Sequence, residues 1–405
     1  SAGSALLLVN KMKQYKFSSF FVDYSMQNIQ KKLKILLIEP FYSGSHKSWA
    51  DGYKQNSQHT IEIISLKGIY WKWRMHGGAI TLAKKYNKFI IEHGAPDLIL
   101  TTDMLNLPVF STFAKINDIP IVTFFHENQL TYPWSTKDRD KAKQRDHHYG
   151  FINYTTALKS DMIMFNSAFH KESFLNALHK FLKQFPDHNE LSNVKLIEAN
   201  SVVSHLGLDL KRFDSFQINS DNEIPIILWN HRWEYDKNPI LFFNVLKQLK
   251  ADNVLFKLII LGEEFDTEMD VFTEARKYFS DELLHMGYCD SFSEYAKFLW
   301  KSDFLPVTSN QEFFGASVME AIYCNTLPIL PNRLTYPELF DFQANKNYFY
   351  KTDEDLVLKL NTLIQSRDNS CAKDLYKLAA AFDWGIIADK YDSLIMRTFQ
   401  IKKGL

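Results

Sequence analysis

The sequence predicts an α/β protein made of two doubly wound, parallel-sheet domains in tandem. Three observations predict it. From Lys34 onward, short apolar runs alternate with helical patterns; the alternation pauses at a polar stretch and restarts at Pro225; and the 405 residues leave room for two to three domains at roughly 150 residues each. Strands buried on both faces read as unbroken apolar runs, and their alternation with helices builds parallel sheets.

The first domain opens with the strand Lys34–Glu39 (KILLIE), followed by a loop and a helix over Ser45–Gln55. Strands at Ile61–Leu66, Asp97–Thr101, Ile119–Phe125 and Asp161–Asn166 follow, with helices at Ala79–His93, Pro108–Ile116 and Ala168–Lys183. The second domain starts at Pro225–Asn230 (PIILWN). It continues with a helix at Pro239–Leu249, a strand at Phe256–Leu261, a helix near Thr267–Phe279 and a strand at Leu284–Gly287. A helix at Phe292–Lys301, a strand at Asp303–Val307, a helix near Ala316–Tyr323 and a strand at Leu327–Leu330 complete it. Phe382-Asp383-Trp384 then precedes an amphipathic helix, Ile386–Phe399. The expected divisions are an N-terminal extension or vector remnant at 1–33, a first Rossmann-like domain at 34–212, a polar linker at 213–224, a second Rossmann-like domain at 225–385, and a closing helix at 386–405 that crosses back to the first domain. Ligands of such domains bind at the C-terminal edges of the strands, so two of them favour a two-substrate enzyme.

Composition narrows the function. The chain is 46% hydrophobic and 23% charged, which supports a folded core rather than disorder. No apolar run approaches the roughly 20 residues of a membrane helix, so no membrane partner is expected. Cys289, Cys324 and Cys371 have no metal-ligand spacing and argue for a reducing compartment, with a cytoplasmic location expected. There are 14 glycines, and neither G-x-G-x-x-G nor a P-loop occurs. A phosphate site here must be built some other way. The zero net charge is a cancellation: residues 1–205 hold 25 Lys+Arg against 17 Asp+Glu, and residues 206–405 hold 22 against 30. A polyanionic partner would favour the N-terminal half.

Five segments carry chemistry. In Glu312–Glu320 (EFFGASVME), the amides of Phe313, Phe314 and Gly315 open a helix and offer an anion site. Glu320, about two turns into that helix, suits a pair of vicinal hydroxyls. The pair of acids also reads as one loop acid and one half-buried helix acid. In His231–Pro239 (HRWEYDKNP), Arg232 and Lys237 share a strand-to-helix loop, where two cations neutralise a diphosphate or remain solvated. Gly44-Ser45-His46-Lys47 is a reduced glycine loop or an ordinary turn. His126-Glu127-Asn128-Gln129, after an apolar strand, suits sugar hydroxyls or a helix cap. Trp71-Lys72-Trp73-Arg74 suits stacking on a nucleobase beside a phosphate, or local packing.

These residues resemble the donor site of retaining glycosyltransferases of family 4, which have the GT-B fold: two Rossmann-like domains facing across a cleft. The resemblance narrows with G-S-H-K at 44–47, W-K-W-R at 71–74, F-H-E-N-Q-L at 125–130 before Tyr132-Pro133, F-N-S at 165–167, H-R-W-E-x-D-K-x-P at 231–239 and E-F-F-G at 312–315. In this order, from about Lys34 to Phe340, they look like the tRNA-queuosine alpha-mannosyltransferases. Gln311 stands where a histidine is more usual, and Asn325 where the family often has glycine.

The resemblance implies a GDP-mannose donor, no cofactor beyond it, no metal, and as acceptor the queuosine of a tRNA anticodon loop (tRNA-Asp type). Asp138-Arg139-Asp140 has the form of a metal motif from another glycosyltransferase fold but reads as a surface or acceptor-facing segment. Arg232 and Lys237 would hold the diphosphate, Glu320 the donor ribose, and Glu312 with the amides of Phe313 to Gly315 the mannose. His126 would contact the sugar. Gly44 and Ser45 would approach the phosphates, Asn166 and Ser167 would line the same edge, and the base would lie near Gly262 and the Tyr288 backbone. His46, Trp71, Trp73, Arg74, Glu127, Asn128 and Arg145 would serve the acceptor. Front-face attack is the simpler expectation: a phosphate oxygen takes the acceptor proton as the diphosphate leaves. Replacing Arg232 or Lys237 by Ala is expected to lower turnover while leaving the fold intact. Two other readings stay open: a family 4 enzyme acting on a lipid or polysaccharide, and a non-catalytic tRNA- or nucleotide-binding module.

Overall fold

The computed structural model describes residues 31–116, 118–133, 147–219, 221–262, 270–367 and 372–405. Arg145, Asp138-Arg139-Asp140 and the tail up to Gln30 lie outside the described residues. Leu33–Leu405 form one compact unit.

The first sheet holds β1 (Lys34–Tyr42), β2 (Thr60–Lys67), β3 (Leu98–Thr102), β4 (Ile121–Phe125), β5 (Met162–Phe165) and β6 (Ser201–Val203) in the order β2-β1-β3-β4-β5-β6. The second holds β7 (Ile226–Asn230), β8 (Lys257–Leu261), β9 (Leu283–Gly287), β10 (Phe304–Pro306), β11 (Leu327–Pro331) and β12 (Phe349–Tyr350) in the order β12-β11-β10-β7-β8-β9. Every pairing is parallel. β3, β4, β5, β7 and β11 are buried along their whole length, which is why they read as unbroken apolar runs. The order reverses between β1 and β3 in the first sheet and between β7 and β10 in the second. At such switch points the flanking loops part and leave a crevice beyond the strand ends. The segments after β1, β7 and β10 leave the sheets at these two places, and His126 and Asn166 follow β4 and β5, farther along the first sheet.

Several elements differ from the sequence reading. The helix placed at Pro108–Ile116 spans Leu107–Phe113, because Ala114 turns to extended backbone. Trp71–His76 and His147–Lys159 are helices whose aromatic and histidine content hides their periodicity. Lys211–Phe216, overlapping the start of the polar stretch, forms a 3-10 helix, and Phe213 is buried with its carbonyl accepting from Trp300 Nε1. Asn325 follows the helix Ala316–Tyr323 at φ +65°, the left-handed position asparagine tolerates.

The last helix, Trp384–Lys403, packs on the first domain. Its Asp392 accepts from Tyr53 Oη (2.6 Å), Ser57 Oγ (2.6 Å) and the Gln58 amide (2.8 Å). Trp384 fills a notch cut by two glycines. A Cβ at Gly52 would stand 2.0 Å from its indole Nε1, and one at Gly207 would stand 2.4 Å from its ring. Among the described residues, no helix is long and apolar enough to cross a membrane.

Candidate active site

On the first-domain side, β1 carries Glu39 three residues before its end, and that residue is fully buried. Its Oε1 accepts from the Phe41 amide (2.7 Å) and its Oε2 faces His46 Nδ1 at 3.1 Å. Burial alone would lower the His46 pKa, but the charge and hydrogen bond of Glu39 carry it up to about 9. His46 is therefore an imidazolium at neutral pH. It lies against the His126 ring with centroids 4.1 Å apart. Burial, then the charges of His46 and His170, hold His126 neutral, far below its ordinary range. Asp103, just past β3, accepts from the His126 amide (2.8 Å), and burial pushes its carboxyl up to about 8 against the pull of His46. Gly44 and Ser45 are exposed at the start of the helix Gly44–Asn56, with Gly44 at φ +49°.

Glu39, His46 and His126 bring three ligand-capable atoms within 4.8 Å of one another, the spacing of a metal site. Both Glu39 oxygens are already engaged, so a cation there would have to displace the His46 proton.

On the second-domain side, Lys237 is buried and Nζ stands 3.0 Å from the Gln311 carbonyl, 3.2 Å from Glu312 Oε2 and 3.1 Å from Asp236 Oδ2. Burial would lower its pKa, but Glu312 and Asp236 raise it above the ordinary value. Burial would raise Glu312, and Lys237 instead holds it below the ordinary range. Glu312 Oε1 also accepts from the amides of Phe313 (3.2 Å) and Phe314 (3.3 Å). The carboxylate thus occupies the anion position that those amides offer. Arg232 is half-exposed and paired with Glu234 at 3.1 Å. The expectation that Lys237→Ala leaves the fold intact does not hold here. It would strand the buried Asp236 carboxylate and take the cation from the half-buried Glu312, a loss of roughly 3–5 kcal/mol.

Gly315 opens the helix Ala316–Tyr323 at φ +86°. Glu320 on that helix accepts from Tyr295 Oη at 2.5 Å, and Tyr295 Oη accepts from Asn230 Nδ2 at 3.0 Å. Burial raises the Glu320 carboxyl to about 7, the Tyr295 hydrogen bond notwithstanding. Gly262 sits at φ +129°, where a Cβ would stand 2.1 Å from the His231 carbonyl; the glycine lets the end of β8 lie against that loop. Tyr288 is exposed.

The two sides meet. Tyr235 Oη donates to the Pro133 carbonyl (2.5 Å) and Ser167 Oγ to the Phe313 carbonyl (2.7 Å). His170 stacks on Phe313 with centroids 4.0 Å apart. Glu338 accepts from the amides of Ala168 (2.8 Å) and Phe169 (3.0 Å), which open the helix Ala168–Leu182. Burial raises the Glu127 carboxyl, and His46, Arg232 and Lys237 all pull it back down. That carboxyl therefore feels cations of both domains.

Some residues of the expected set do other work. Asn166 donates to the His126 carbonyl (2.9 Å) and meets His170 Nδ1 (2.8 Å), so with Ser167 it braces the domain contact from inside. Asn128 Oδ1 accepts from the amides of Leu130 and Thr131, forming a turn. Trp71 packs on Tyr149 (5.0 Å between centroids), whereas Trp73 is exposed and Arg74 Nε donates to the Lys67 carbonyl. Glu39, Asp103, Tyr295 and Glu338 belong to the site and were missed. Glu39 and Asp103 carried a signal, an acid at the end of an apolar strand.

Residues 34–208 match the family model "tRNA-queuosine alpha-mannosyltransferase N-terminal", and residues 211–379 match "Glycosyl transferases group 1". The tRNA-queuosine alpha-mannosyltransferase of Drosophila melanogaster is 33% identical over 339 residues, covering 81% of this chain and 86% of that protein. Among solved structures, the Rickettsia africae glycosyltransferase superposes with a TM-score of 0.64 at 17% identity, covering 91% of this chain and 99% of that one. Anabaena HepE in complex with UDP gives 0.62 at 15% identity, covering 90% and 100%. The fold is the two-domain GT-B arrangement.

Proposed function

The chain belongs to the tRNA-queuosine alpha-mannosyltransferase family and is a glycosyltransferase; from that premise we propose that it transfers mannose from GDP-mannose to queuosine in a tRNA anticodon loop, of the tRNA-Asp type, with retention of configuration. The Drosophila relative's activity supports the acceptor and the sugar.

One observation carries the reading: Tyr235, between Arg232 and Lys237 in the second domain, donates to the Pro133 carbonyl of the first at 2.5 Å, so the loop of the donor-side cations lies against the segment that follows Glu127. Arg232 and Lys237 take the diphosphate, and their charge stabilises the leaving group as the glycosidic bond breaks. Lys237 is already fixed by Glu312 and Asp236, so it needs no reorganisation when that charge appears. Glu320, oriented by Tyr295, takes the ribose hydroxyls. Glu312 and His126 face the sugar from opposite domains. A phosphate oxygen accepts the proton of the attacking hydroxyl.

A donor panel tests this. GDP-mannose, GDP-glucose and UDP-sugars are supplied with queuosine-containing tRNA, and the anomeric configuration of the product is read by NMR. Transfer from GDP-mannose with an α-linked product is expected. Preference for a UDP-sugar, or a β-linked product, would overturn it.

A further inference from the structure

Resting on the proposed reaction, we infer that Glu127 and Asp103 form a receptor for the secondary ammonium group of queuosine, and that this pairing selects the acceptor.

The first-domain side of the site is rich in acid. Among the described residues it holds three carboxyls, Glu39, Asp103 and Glu127, around the single cation His46. Glu39 and His46 neutralise each other at 3.1 Å. Across the interface, Arg232 has Glu234 at 3.1 Å, and Lys237 has Asp236 and Glu312 at 3.1 and 3.2 Å. Each cation thus has a carboxylate of its own, and Asp103 and Glu127 are left without one.

Asp103 is fully buried, and its Oδ2 has no hydrogen-bond partner among the described residues. A buried acceptor left unmade costs stability unless a ligand supplies the donor. Glu127 Oε1 accepts from the Gln129 side-chain amide at 2.9 Å, and Asp103 Oδ1 accepts from the backbone amide of His126, the residue before Glu127, at 2.8 Å, so the two acids lie on adjoining strand-end loops. Burial raises both, although His46 pulls on each of them and Arg232 and Lys237 pull on Glu127.

Queuosine matches this deficit. Its side chain carries a protonated secondary amine with two N–H donors, one for each carboxyl. That amine sits on the ring carbon beside the cyclopentene diol, so the ammonium and a ring hydroxyl lie within one side-chain length of each other. Glu127 directly follows His126 in the chain, which places the ammonium receptor next to the residue facing the sugar. Guanosine at the same tRNA position has no such cation.

The test compares transfer to queuosine-containing tRNA with transfer to the same tRNA acetylated at the secondary amine, which removes the charge. The wild type is expected to prefer the free amine by about tenfold or more in kcat/KM, the range of a charge-assisted hydrogen bond. In Glu127→Gln this preference should collapse towards one, while Glu127→Asp, which keeps the charge, should retain most of it. A loss of packing alone would lower both substrates together and leave the ratio unchanged. Equal use of both tRNAs by the wild type would overturn the inference, as would an unchanged preference in Glu127→Gln. If Glu127→Gln does not fold, the wild-type ratio and Asp103→Asn decide in the same way. Absence of any transfer by the wild type would remove the reaction and this inference with it, whereas transfer with equal use removes the inference alone.

Discussion

The Lys237 ammonium stands 3.2 Å from Glu312 Oε2, joining the loop after β7 to the loop after β10. Lys237 is buried and Arg232 is half-exposed, so the two cations differ in what their loss does. Lys237→Ala should abolish transfer and also lower stability by roughly 3–5 kcal/mol. Arg232→Ala should lower transfer sharply with an unchanged melting temperature, because its partner Glu234 returns to solvent. Melting curves beside label-transfer rates check both. A normal melt for Lys237→Ala would show that its carboxylate partners are solvated.

Donor affinity should depend on pH through Glu320. Burial raises this carboxyl to about 7, so it is largely protonated at pH 6 and largely ionised at pH 8. The carboxylate is the better acceptor for ribose hydroxyls. The KM for the nucleotide sugar should therefore fall several-fold from pH 6 to 8, in line with a charge-assisted bond. Glu320→Gln should flatten that profile, and an equally steep profile in the variant would assign the titration elsewhere.

Tyr295 should govern how Glu320 acts. Asn230 donates to the Tyr295 hydroxyl, so the tyrosine proton points to Glu320. Tyr295→Phe should raise donor KM by about tenfold, the loss of one hydrogen bond to a charged group, with a smaller change in kcat. An unchanged KM would show that Glu320 needs no such support.

Two glycines should resist substitution for different reasons. Gly315 lies at φ +86°, with the nearest foreign atom 3.4 Å from a Cβ. Gly315→Ala should cost about 1–2 kcal/mol, from backbone conformation alone. At Gly262, a Cβ would meet the His231 carbonyl at 2.1 Å, so Gly262→Ala should displace the His231 loop and cost more. Denaturant melts of the two variants check the order.

Glu338 should hold the domains together. Its carboxylate caps the Ala168 and Phe169 amides at 2.8 and 3.0 Å, and Glu338→Ala should cost about 0.5–2 kcal/mol, as loss of a helix cap does. Hydrogen exchange at those two amides should accelerate, and unchanged protection would place the domain contact elsewhere.

Much of this was legible in the sequence. Buried parallel strands such as β4 and β7 reveal themselves as apolar runs, and the polar residues that follow them, His126 and His231, fall at the C-terminal edges of the sheets. Pairings between distant loops were not legible. Nothing local to Lys237 announces Glu312, or to Tyr295 announces Glu320. Glu39 and Asp103 looked like the polar ends of strands, because only the fold shows that those ends are buried. Trp71 and Trp73 look alike in sequence, yet helical spacing turns the first onto Tyr149 and the second to solvent. Ser167 and Asn166 sit at a strand end, where a ligand contact and a domain brace leave the same trace.

The most direct measurement incubates the protein with radiolabelled GDP-mannose and two preparations of one tRNA, with and without queuosine. Label on the queuosine-containing tRNA only, lost in Arg232→Ala, is the predicted result. Equal label on both preparations, or undiminished label with Arg232→Ala, would contradict it.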